Sequence, residues 1–158
     1  MQILLAITDS PSAEKVVKSV AERSWPAGTS FKILSVLEPV CASSEDMTIT
    51  EFVHSAGEIY ERRKEAAERL CQNSCEKIEA KQPQAIVGYE IQEGAPWAEI
   101  VKAASNWPAD AIFIGAHDQD IPKRHGSVGQ AVLEHAPCAV TVVSSSGQTE
   151  AAELAHHG

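Results

Sequence analysis

The stretch AIFIGAHDQDIPKRHGSVGQAVLEHAPCAVTVV, Ala111 to Val143, decides the fold. Ala111 to Ile114 is an apolar run of strand length, and Ala139 to Val143 is a second one, rich in valine. Between them lie a polar loop and the helical segment Gly126 to His135. A helix opened by Gly126-Ser127-Val128 offers free backbone N–H groups at the positive end of its dipole. That arrangement favours anions, phosphates above all.

Working outward, the same alternation of strand and helix covers the rest of the chain. Gln2 to Thr8 (QILLAIT) is a nearly unbroken apolar run, as expected for a strand covered on both faces. Asp9-Ser10-Pro11 follows, where Ser10 suits a helix cap and proline a first helical position. Ala13, Val16, Val17, Val20 and Ala21 then recur at helical spacing, and Trp25-Pro26-Ala27-Gly28 stops the helix. Ser30 to Leu37 is a second strand. Thr48 and Glu51 have capping-box spacing before a long helix. Its expected inward stripe runs through Phe52, Ala56, Ile59, Arg63, Ala67, Leu70 and Ser74. Ala85 to Ile91 reads as a third strand. Gly94-Ala95-Pro96 leads into a helix with Trp97, Ile100, Val101 and Ala104 expected to face in.

Five strands alternating with four helices call for one α/β domain, a Rossmann-like parallel sheet covered on both faces. The domain is expected over residues 1–145, with 146–158 as a mobile tail rich in serine, alanine and histidine. At 158 residues, such a chain buries roughly 70% of its unfolded surface. In these sheets ligands bind beyond the carboxyl ends of the strands, where the strand order reverses. If strands one and four are neighbours there, Asp9 and the 115–127 loop face one crevice.

Composition narrows the partners. A net charge of −9 argues against nucleic acid, since a polyanion normally meets a basic face. No apolar run approaches the ~20 residues of a membrane span, and no charged-then-apolar leader precedes Ile3. Four cysteines are too few for a disulfide scaffold, so a cytoplasmic protein with reduced thiols is expected. Cys71 and Cys75, four apart on one helical face, read as a reduced, partly buried pair. His117, Asp118, Asp120 and His125 have metal-ligand chemistry but match no compact zinc spacing, and no metal is assigned. The phosphate-loop, dinucleotide and nucleophile-elbow signatures do not occur.

At this point the chain resembles the universal stress protein family over nearly its whole length. The resemblance is carried by Ile3-Leu4-Leu5-Ala6-Ile7-Thr8-Asp9, by Leu34-Ser35-Val36, by Glu93-Gly94-Ala95-Pro96, and above all by Gly126-Ser127-Val128 followed by Val132-Leu133-Glu134-His135-Ala136-Pro137-Cys138-Ala139-Val140. It implies a three-layer sandwich like that of the adenine-nucleotide α-hydrolases, strand order 3-2-1-4-5, and a homodimer through the last strand, Ala139 to Val143. It also implies ATP, with Mg²⁺ as a companion ion, or another adenine nucleotide between Asp9 and the 115–128 loop. The implied contacts are Ile7 and Val36 to the base, Asp9 to the adenosine part, and Gly115, Ala116, His117, Asp118, Gly126, Ser127 and Val128 along the loop. No catalytic residue is assigned, and ATP hydrolysis is expected to be slow at most.

The chain departs from the family's glycine pattern in two places. Asp118 stands where the middle glycine falls, and the spacer Gln119 to His125 is two residues short. Aspartate beside a phosphate costs on the order of 1–4 kcal/mol at ~4 Å unless a cation intervenes. The alternative expectation is therefore a dimeric stress and interaction protein of the same fold that binds no nucleotide.

Overall fold

The computed structural model describes residues 1–7, 10–39, 48–115, 126–143 and 149–152. In chain order these form β1 (Gln2–Ile7), α1 (Ser10–Ala21), β2 (Ser30–Leu37), α2 (Ile49–Lys81), β3 (Ile86–Glu93), α3 (Pro96–Asn106), β4 (Ala111–Gly115), α4 (Gly126–His135), β5 (Ala139–Val143) and β6 (Thr149–Ala152). The first five strands run parallel in the expected order β3-β2-β1-β4-β5. Among the described residues, no helix is long and apolar enough to cross a membrane.

β1 sits in the middle because its sequence supplies both faces. Successive strand side chains point to opposite sides. Ile3, Leu5 and Ile7 join α1 and α2 in one core, together with Phe31, Ile33 and Phe113. Leu4 and Ala6 join α3 and α4 in the other, with Leu34, Ile112 and Ile114. The five residues of α1 expected to face inward are all buried. Each fully buried valine among them contributes about 1.5–3 kcal/mol relative to exposure. The start of β1 is clamped to β4: Gln2 N donates to Asp110 Oδ2 at 2.7 Å, and Asp110 N donates to the Gln2 carbonyl at 2.7 Å.

Three features differ from the expectation. β3 starts and ends later, at Ile86 and Glu93, because its pairing with β2 carries on to Leu37. In α2 the buried face is Ala67, Cys71, Ser74, Cys75 and Ile78, whereas Ile59 is 45% exposed. Ala67 and Ser74 of the expected stripe are thus buried and Leu70 packs on the core, but the face lies in the second half of the helix and takes in Cys71 and Cys75, where cysteine packs as a small apolar side chain. Finally, β6 continues the sheet beyond β5 in antiparallel register, Val143 opposite Thr149 and Val140 opposite Ala152. The fifth strand is therefore not the last, and its outer edge is already paired.

Candidate functional site

The strand order reverses at β1, which pairs with β2 on one side and β4 on the other. With Ala6 opposite Ile114, the ends of both strands, Ile7 and Gly115, reach the carboxyl edge together. α4 begins beyond that edge at Gly126. This is the switch point at which parallel sheets leave a crevice. Asp9, Ala116, His117 and Asp118 lie outside the described residues, as do Asp120, Lys123, Arg124 and His125.

Beside the switch point opens a concavity of 710 Å³. Glu38 and Pro39 enter it from the end of β2, Gly94 to Trp97 from the turn into α3, and Val128 and Ala131 from α4. The volume suits a small organic ligand, and the wall is apolar apart from Glu38. Local chemistry builds this wall. Gly94 holds φ at +148°, in a region disfavoured for other residues, while its N–H donates to the Leu37 carbonyl at 3.0 Å. An added Cβ would meet Glu99 Cγ at 3.1 Å. Ala95 then ends the turn without a side-chain cap, and Pro96 opens α3.

The structure separates the remaining candidates. Val36 and Val128 pack on the same side of the sheet, in the α3–α4 core, and Val128 reaches the concavity. Ile7 turns to the opposite face and is buried against α1 and α2. Gly115 closes β4, and Gly126 and Ser127 form the first turn of α4. Trp97, expected to face in, is instead 38% exposed on the concavity wall. Its ring lies 4.8 Å from that of His135, tilted by 36°. His135 Nδ1 in turn donates to the Ala131 carbonyl at 2.9 Å. Sequence reasoning missed Pro39, Trp97 and Ala131 as wall residues. Pro96-Trp97 directly after a glycine turn was the available signal.

Among the described residues, no three His, Cys, Asp or Glu side chains gather into a metal-holding group. Cys71, Cys75 and Cys138 carry free thiols. Burial pushes the Cys71 thiol up to about 12 and the Cys75 thiol up to about 11, with each made worse by nearby negative charge. Burial also raises Cys138, with Asp110 adding to the effect. Thiols so placed stay protonated and unreactive at neutral pH.

A sequence model of the universal stress protein family matches residues 1–144. No protein of curated function matches the chain in sequence. Among solved structures, the chain is similar to a universal stress protein from Lactobacillus plantarum, at 22% identity and a TM-score of 0.68, with 90% of this chain and 96% of that one covered. It is similar to the Archaeoglobus fulgidus universal stress protein in complex with dAMP, at 23% identity and a TM-score of 0.58, covering 90% and 96%. An Arabidopsis thaliana family protein with AMP bound gives 16% identity, a TM-score of 0.60 and 91% coverage of each chain.

Proposed function

The chain belongs to the universal stress protein family, and on that premise we propose that it is a cytoplasmic stress-response module that binds an adenine nucleotide. The observation that carries this reading is the apolar concavity beside the switch point, walled by Val128 immediately after the Gly126-Ser127 start of α4. A nucleotide laid across this edge would set its base against the apolar wall and Val36, and its phosphate toward the first turn of α4, where the dipole favours negative charge. Asp9 would take the adenosine part, and Gly115, Ala116, His117 and Asp118 would follow the phosphate. The dAMP and AMP complexes of its structural neighbours lend support by analogy.

Charge decides which nucleotide is favoured. By sequence, Asp118 and Asp120 fall in the stretch that would follow a triphosphate, so each added phosphate would meet more repulsion unless Lys123 and Arg124 or a bound cation offsets it. AMP is therefore expected to bind without metal, whereas ATP is expected to require Mg²⁺. Calorimetry with AMP, ADP and ATP, with and without Mg²⁺, checks this order, and no heat at millimolar AMP would sink the reading. Binding would act by shifting a conformational or partner equilibrium, with hydrolysis slow at most.

The shortened spacer, with Asp118 in place of the middle glycine, favours a second reading, the same fold acting as an interaction protein without nucleotide. Asp118→Gly discriminates between defects: recovered ATP affinity, by about tenfold or more, assigns the loss to repulsion. Under either reading we propose a homodimer. The β5 edge that the family resemblance nominates is occupied by β6, so the second copy would either pair along β6 or displace it.

A further inference from the structure

We propose that Trp97 is the stacking platform for the nucleobase, making the concavity selective for the aromatic part of its ligand. The proposal rests on the nucleotide reading above and adds the residue that recognises the base. The other two tryptophans are committed to the fold. Trp25 packs edge-on against Phe31 and Phe113 at 5.5 and 5.9 Å, and its Nε1 donates to the Val20 carbonyl at 2.7 Å. Trp107 packs into the α3–α4 core beneath the Lys32 ammonium, which lies 5.0 Å from its ring centroid.

Trp97 is different. It is 38% exposed, it lines the concavity, and its indole N–H donates to no partner among the described residues. Its orientation is nonetheless constrained. Pro96 fixes the backbone at the helix start, and the His135 ring braces the indole while itself held by the Ala131 carbonyl. A part-exposed aromatic ring, braced by His135 in a wall that is apolar apart from Glu38, is suited to stack a flat base and to offer one donor at its edge. Pro39, Val128 and Ala131 supply apolar surface around it but no π-face.

The test is a titration of the full chain with AMP, adenosine and ribose 5-phosphate, followed by tryptophan emission and by calorimetry. AMP and adenosine are expected to quench or shift the emission, and ribose 5-phosphate to leave it unchanged. Trp97→Leu is expected to weaken AMP on the order of tenfold, the usual worth of one base-stacking contact. Trp97→Phe should stay within a few-fold of the parent. Ribose 5-phosphate affinity should be the same in all three chains. Equal AMP affinity in the parent and in Trp97→Leu overturns the platform while leaving nucleotide binding intact. No AMP binding to the parent chain overturns both. Should Trp97→Leu not fold, the parent's emission decides: AMP binding with emission unchanged overturns the platform.

Discussion

At the scale of single residues, Cys71 shows how burial becomes a pH dependence. Its thiol rises from the ordinary 9.0 to about 12 because the folded core disfavours a thiolate. As pH climbs past 9, the unfolded chain releases this proton and the folded chain keeps it. The stabilising contribution is therefore complete below pH 9 and is lost progressively toward pH 12. Urea unfolding from pH 8 to 11 is expected to show the parent chain losing up to about 1.4 kcal/mol per pH unit more than Cys71→Ala. Parallel curves for the two chains would show that Cys71 is not the titrating group. At pH 7, Cys71→Ala should cost about 1 kcal/mol for the lost packing. Trp97 gives the complementary lesson at this scale. Its helical spacing said "inward", and only the position of α3 against α4 shows that inward here means the wall of a concavity.

Single elements were legible where their own residues dictate them. The Val-Val-Val spacing of α1, the Thr48–Glu51 capping box and the glycine start of α4 all appear where the sequence placed them. Thr48 Oγ1 accepts from Glu51 N at 3.1 Å, and Glu51 Oε2 accepts from Thr48 N at 3.2 Å. What the sequence does not state is where α2 parts from the sheet. At 33 residues the helix is about 50 Å long, roughly twice the length of β2. Between residues 49 and 66 no described side chain is buried, so these turns rest mainly on propensity, the cap and the Arg63 bond to the Glu38 carbonyl at 2.8 Å. Thr48→Ala, worth about 1 kcal/mol of helix stability, is therefore expected to speed amide exchange in residues 49–62. The global unfolding midpoint should barely move; a matching loss of global stability would mean that the upper half of α2 is coupled to the core. β6 was hidden for the converse reason. Thr149-Glu150-Ala151-Ala152 has no strand pattern of its own, and the open edge of β5 imposes its conformation.

On the scale of the whole molecule, the parallel order of the first five strands was readable because buried runs alternate with amphipathic helices. The crevice was readable only in outline, since a strand order places an edge but not the side chains along it. The two sheet edges are unequal. Among the described residues, no strand pairs with the outer edge of β3 along Ile86 to Glu93, whereas β5 is covered by β6. A chain ending at residue 145 would uncover Val140 to Val143, four residues of high strand propensity with unpaired backbone groups. Sedimentation is expected to find that shortened chain dimeric at lower concentration than the full chain. An unchanged association constant would place the dimer contact elsewhere.

The central place of β1 has a consequence for how the protein is made. Its two neighbours come from distant parts of the chain, and Gln2 must wait for Asp110, 108 residues on. At ordinary synthesis rates that interval is roughly 5–20 seconds. During it, β1 can pair with β2 while its other flank, Ile3 to Ile7, stays open. The growing chain thus carries its most apolar strand half-paired on the ribosome, and substitutions that slow β4 should be felt first as lost yield of newborn protein rather than as lost stability of the finished one.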